Sequence, residues 1–363
     1  MSPLRISVID NFKEWQELAP QWNRLLEKSE SATIFLTWEW LSSWAECCLD
    51  EYRSLFILAF FDKDQLVGIA PFYIQKKKIG PFRLREIRFL GSPEAGSDYL
   101  SVFARKGREQ KVANALYDYL TMGEGKKVWH QLNLHEIPAN SLFLLHFMAR
   151  IESRGKFVEV SLNSYCPRMK LPKTEEEFYA MLSPGWRKKF KQDIRVINRE
   201  QNVYHSVSQA GNISQKMEEF FRLYELKGHS SGSKLRDILE KTAAKHISEQ
   251  PVQIDILSIN GRSVAGLVHL KYQSTLSMYL MAVDRGYNPK VSLGNFLVGQ
   301  SIKKAIASGY VVYDFLKGEE RYKFHWATGG NRTLQLFFWR KTPASLYSAL
   351  TRISRHAGKI LLR

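Results

Sequence analysis

The chain has 363 residues, 44% of them apolar and 13% aromatic, enough for more than one buried core and incompatible with a disordered or low-complexity polypeptide. Its formal charge of +17 favours phosphate-bearing ligands, acidic polymers or anionic lipid surfaces. Three cysteines, Cys47 beside Cys48 and Cys166 alone, fit neither a disulfide framework nor a metal-ligand spacing, so no metal is expected.

From the amino terminus, LRISVI (4–9) reads as a strand, and Trp15, Leu18, Trp22, Leu25 and Leu26 then recur at helical spacing. A second helix follows around TWEWLSSWAECC, with Thr37 as its N-cap. Strands at 54–61 and 66–75 are joined by the polar turn DKDQ, a hairpin signature. REIRFLGS and DYLSVFA read as further strands, 108–122 as a helix, WHQLNLHEI as a strand and 141–154 as a helix. The opening residues lack the apolar core of a secretion signal. The longest apolar run, 55–61, is far short of the ~20 residues of a membrane span, so a cytoplasmic chain is expected.

The second part repeats that order of elements without residue-level identity. A charged helix covers about 174–200, and helices follow at about 212–227 and 234–250. VQIDILSI, VAGLVHLKY and TLSMYLMAV read as strands, the first two joined by a tight turn at Asn260-Gly261. A helix from Ser292 to about Ala307, the strand VVYDFL, a short polar helix at 319–326 and the strand LQLFFWR complete it. The expected fold class is α/β, in two tandem domains with mixed, mostly antiparallel sheets flanked by helices. Their expected bounds are 1–165 and 166–342. Positive charge concentrates at 76–88, at 186–199 and beyond Pro343, where no acidic residue occurs. In that last stretch, 343–363, Leu346, Leu350, Ile353, Ala357 and Ile360 share one helical face, which suits peripheral contact with an anionic membrane or docking on the chain's own domain.

The doubled order, together with TWEWLSSW (37–44), LVGIAPFY (66–73), LGSPEAGSDYL (90–100), CPRMKLP (166–172) and DFLKGEERYKFHW (314–326), resembles the tandem GNAT acyltransferases. Within that superfamily it is similar to the CelD/BcsL-type acetyltransferases of exopolysaccharide production, and more distantly to the FemAB-like aminoacyl ligases. In the last block Asp314, Phe315, Leu316, Gly318, Glu320, Tyr322, Lys323 and Trp326 match the family pattern. Arg321 stands where that pattern has proline.

Acyl transfer from a thioester needs a seat for the donor, groups that stabilise the oxyanion, and management of two protons. The resemblance implies that strand 277–283, ending at Val283, splays from VVYDFL and grips acetyl-CoA or another acyl-CoA through its backbone. Lys290, Ser292, Leu293, Gly294 and Asn295 form the loop and helix start where a pyrophosphate would sit. Ser292 is otherwise an ordinary cap and Gly294 a packing glycine. The catalytic candidates are Glu320 as base, given burial, Tyr322 as donor to the thiolate, and Lys323 with Asp314. Lys323 holds an anionic substrate group or pairs with Asp314; alternatively the segment is a capped helix start. Asp98, Tyr99, Arg187 and Trp326 are candidate substrate contacts, and His269 reads as a structural histidine.

The leading expectation is an acyl-CoA-dependent N- or O-acyltransferase for a small-molecule or saccharide acceptor, with the donor in the second half. FemAB-like transfer from charged tRNA is the alternative, disfavoured by the lack of a sustained heptad run. A non-catalytic basic scaffold at a membrane or polyanion is the third.

Overall fold

A computed structural model describes residues 3–156, 158–226, 232–245, 250–284, 286–287 and 291–351. In chain order the elements are β1 (Arg5–Ile9), α1 (Phe12–Glu27), α2 (Trp38–Cys48), β2 (Arg53–Asp62), β3 (Gln65–Ile79), β4 (Phe82–Phe89), β5 (Phe103–Ala104), α3 (Glu109–Thr121), β6 (Gln131–Pro138), α4 (Leu142–Glu152) and β7 (Glu159–Lys170). There follow α5 (Glu175–Met181), α6 (Pro184–Ile197), β8 (Val203–Val207), α7 (Ile213–Glu225), α8 (Gly232–Lys245), β9 (Val252–Ile259), β10 (Arg262–Tyr272), β11 (Thr275–Val283), α9 (Leu293–Ala307), β12 (Val312–Asp314) and β13 (Gly329–Trp339). The chain forms two compact units, Met1–Asn163 with Thr333–Arg363, and Ser164–Arg332.

In the first unit the strand order is β1-β2-β3-β4-β6-β13. Every neighbouring pair is antiparallel except β4 with β6. The helices form where the sequence places caps: Asn11 accepts from Glu14 N–H, and Thr37 accepts from Trp40 N–H. Trp15, Trp22, Trp40, Trp44 and Trp129 are fully buried in this unit. The last part of β13 completes this sheet, with Thr333–Trp339 running against β6.

The second unit has the same spatial arrangement, β8-β9-β10-β11-β12-β7, except that its end strand β7 comes first in sequence, again with one parallel pair, β11 with β12. Asn260 and Gly261 both adopt left-handed conformations, φ 52° and 77°, which the two-residue turn between β9 and β10 demands. The charged helix expected over 174–200 is two helices. Leu182 is extended, Ser183 caps α6 by accepting from Trp186 N–H, and Pro184 takes the first helical turn, where its missing donor does no harm. DYLSVFA is a strand only at Phe103–Ala104, and the expected helix at 319–326 is a single 3-10 turn, Lys323–His325. β7 and β8 are strands that the sequence reading omitted.

Among the described residues no helix is long and apolar enough to cross a membrane. Of the expected carboxy-terminal helix, residues 343–351 are helical, and 352–363 lie outside the described residues.

Candidate active site

The two parallel strands of the second unit part company. β12 pairs with β11 over three residues only, Val312–Asp314 against Thr275–Ser277. On its other side β12 runs against Lys170 to Arg168 of β7, and the chain stays with β7 after the strand ends. Phe315 donates its N–H to Pro167 O at 3.0 Å, and Gly318 donates to Tyr165 O at 3.2 Å. β11 instead continues to Val283 along β10. A slot therefore opens beyond Ser277 and Asp314, and Tyr279, Leu280, Met281 and Val283 become partly exposed along it. Asp284 donates its N–H to Val264 O on β10 at 2.8 Å. Because N–H directions alternate along such a strand, Val283 directs its N–H to the slot side.

The start of α9 faces the same strand. An alanine Cβ at Gly294 would come within 3.1 Å of both Met281 Sδ and Val283 Cγ2, so Gly294 is a packing glycine that lets the helix approach β11. Ser292 makes no side-chain cap bond; its Oγ accepts from Asn295 Nδ2 at 2.8 Å. Asn295 Oδ1 in turn lies 3.4 Å from the Trp326 indole nitrogen. The first N–H groups of such a helix lack intrahelical partners and carry partial positive charge. Lys290 lies outside the described residues.

The block 314–326 is an ordered loop with an internal frame. Asp314, 2% exposed, accepts from Leu316 N–H at 2.8 Å and lies 3.0 Å from Arg168 Nε. That bond holds Leu316 in a left-handed conformation, φ 56°. Lys323, 4% exposed, donates to Lys317 O at 2.7 Å and pairs with Glu320 at 3.0 Å. Asp314 and Lys323 thus shape the loop rather than offering free groups to a substrate. Arg168 was not among the candidates, although it sits in the quoted CPRMKLP block; its partner is far away in sequence, and only the β7–β12 register brings them together.

Glu320 and Tyr322 separate in character. The Glu320 side chain is 57% exposed, so the burial expected of a tuned general base is not found there. Tyr322 is largely enclosed and packs on the second unit's core. Burial, and then the Glu320 charge, pushes its phenol well above the ordinary tyrosine range, so it stays a neutral donor. The segment is not helical at 319–322, so the alternative of a capped helix start there does not hold.

Other candidates fall into structural roles. Trp326 is 1% exposed, stacked on Phe178 at 6.1 Å and edge-on to Phe190, and cannot lie against a sugar or adenine. Beside it Trp186 stacks on His325 at 4.1 Å. Arg187 donates to Ala180 O and Leu182 O, closing the carboxy-terminal end of α5. Asp98 and Tyr99 are buried within the first unit, at 0% and 7% exposure.

Behind the slot a buried polar chain links β8, β9, β10, β12 and α9. Asp255 is 2.8 Å from His205 Nε2 and 3.1 Å from His269 Nδ1. His269 Nε2 is 2.8 Å from the Tyr313 hydroxyl, which is 2.7 Å from Ser301 Oγ. Burial alone would raise the Asp255 pKa, but the two histidines outweigh it and hold the carboxyl far below the usual range. His269 therefore has the structural placement expected of it. The residues it bonds are apolar-strand positions with no spacing signal.

The second unit, a mixed α/β layer whose parallel strands β11 and β12 diverge beside the start of α9, has a GNAT-like fold. Residues 185–324 match the family model described as "Acetyltransferase (GNAT) domain". The structure of FemX is similar over 94% of this chain and 99% of its own, with TM-score 0.59 and 10% identity. A conserved protein of unknown function from Bacteroides thetaiotaomicron gives TM-score 0.54 at 10% identity, covering 93% of this chain and 100% of that one. The carboxy-terminal DUF2156 domain of a putative lysylphosphatidylglycerol synthetase from Agrobacterium fabrum gives 0.52 at 10% identity, with 94% and 96% covered. No curated protein matches the chain in sequence.

Proposed function

We propose that the protein is an acyl-CoA-dependent N- or O-acyltransferase of the CelD/BcsL type, acting on a sugar or surface-polysaccharide precursor. The observation that carries this reading is the parting of β11 and β12 beside the start of α9. Val283 N–H and the first N–H groups of α9 hold the donor. A bound thioester supplies an acyl carbon open to attack by an amine or hydroxyl. The Tyr322 phenol, protonated through the physiological range, donates to the departing thiolate. Glu320 receives the acceptor's proton as an exposed carboxylate, directly or through water.

The donor belongs to the second unit because the matching place in the first is filled. There β4 meets β6 only at Glu86 and Ile87, but Ser97–Leu100 are buried and Leu100 donates its N–H to Glu136 O on β6 at 2.9 Å. A thermal-shift series with CoA thioesters, followed by assay of CoA release, tests the reading. Absence of both binding and release across donors would overturn it.

FemAB-like aminoacyl transfer from charged tRNA is a second reading, favoured by the charge of +17. It requires tRNA binding that weakens steeply with salt, whereas CoA-thioester binding without tRNA binding selects the first.

A further inference from the structure

At one end of the first unit's sheet, basic side chains stand next to one another across four strands. Lys76 on β3 is the cross-strand partner of Arg85 on β4, and Lys78 is the partner of Arg83. His130, just before β6, donates its N–H to Arg85 O at 2.8 Å and accepts from Arg85 N–H at 2.9 Å through Nδ1. Arg340, just after β13, donates its N–H to His130 O at 3.0 Å. Lys76, Arg85, His130 and Arg340 thus form a row of about 14 Å at ordinary strand spacing. The Arg85 guanidinium donates to Lys127 O at 2.7 Å and that of Arg340 donates to Lys126 O, which adds two lysines to its flank.

Like charges directly opposite on one face destabilise a sheet, so the two cross-strand pairs work against folding. Among the described residues no carboxylate is within ion-pair distance of Lys76, Lys78, Arg83, Arg85 or Arg340. Glu86 is on the opposite face by strand alternation and pairs with Lys77 at 3.0 Å. Glu124 opens the turn that carries Lys126 and Lys127. The repulsion registers at His130 and Arg340. Burial first, and then the neighbouring guanidinium groups, lowers the proton affinity of each.

The helix over 343–351 follows directly. Tyr347 seats it on the tip of the β3–β4 hairpin, with its ring 5.6 Å from that of Phe82 and against Gly80. One turn apart on this helix, Leu346 and Leu350 are 51% and 67% exposed. Side chains spaced i,i+4 share a helix face, so the two leucines form a single apolar strip.

We propose that this end of the first unit docks on an anionic lipid surface, with phosphate headgroups on Lys76, Arg85, Arg340 and the Lys78–Arg83 pair, and Leu346 and Leu350 at the acyl boundary. The charge row is complementary to any polyanion, but the exposed leucine pair selects a lipid surface.

The test is cosedimentation of the full chain with vesicles of phosphatidylcholine alone, or mixed with phosphatidylglycerol. Binding is expected only with the anionic lipid and is expected to weaken with salt. Lys78→Gln with Arg83→Gln should weaken it roughly 25-fold, about fivefold per cation, while the melting temperature holds or rises because a repulsive pair is gone. Leu346→Ser with Leu350→Ser should reduce vesicle binding at least tenfold and leave retention on soluble dextran sulfate unchanged. The proposal is overturned by equal binding to both vesicle types, by full affinity in the lysine–arginine variant, or by full vesicle affinity in the leucine variant. The last result would assign the surface to a soluble polyanion.

Discussion

Gly318→Ala isolates the loop that closes one side of the slot. Gly318 has φ 125°, where an L-residue costs about 1–3 kcal/mol. A Cβ there would lie 2.8 Å from Lys323 Nζ and closer still to the Glu320 carboxylate. Because Glu320 is exposed it can swing away, but this breaks its pairing with Lys323, a loss of about 0.5–1 kcal/mol for a pair with one open partner. The total, about 1.5–4 kcal/mol, corresponds to at least about a tenfold rise in local opening. Hydrogen exchange reads this directly at the amides of Phe315 and Gly318, which are bonded to Pro167 and Tyr165. In the Glu320→Ala background the same substitution should lose only the pairing share and keep the backbone share. Unchanged exchange at Phe315 and Gly318, or a cost that vanishes with Glu320→Ala, would refute the argument.

Tyr322→Phe is expected to lower turnover about 10²–10⁴-fold without changing donor affinity, as measured by calorimetry and CoA release. Tyr322 and Tyr313 lie well above the ordinary tyrosine range and Tyr73 is pushed up to about 12, chiefly by burial. The unfolded chain then loses these protons first, so stability should hold below about pH 10 and fall as pH rises above it. Denaturant melts across pH check the sign; stability rising above pH 10 contradicts it. Asp314→Asn keeps an acceptor for Leu316 N–H but leaves Arg168 without a carboxylate, with an expected loss of about 1–3 kcal/mol. Adding Arg168→Gln should recover part of that loss in a double-mutant cycle.

Much of the fold was legible because its signals are local. The cap at Thr37, the Asn260-Gly261 turn and the apolar periodicity of α1 act within a few residues. β7 and β8 were not legible. β8 is a short edge strand with a His and a Ser, and β7 exposes Leu162 while burying Cys166, so neither shows clean alternation. Within the site, the dense block 314–326 drew notice for its residue types, but type does not reveal orientation. Trp326 and Asp314 are buried parts of the frame, Glu320 faces solvent, and Arg168 enters only through strand register. The double cationic pair was legible as a run but not as a row, because opposition across strands depends on where the hairpin turns.

A structure of the protein with a non-hydrolysable acyl-CoA analogue tests the central claim most directly. The account predicts the analogue's carbonyl at hydrogen-bond distance from Val283 N–H, between β11 and the Asp314–Gly318 loop, with its pyrophosphate at the start of α9. An analogue seated in the first unit, or outside the gap between β11 and β12, would contradict it.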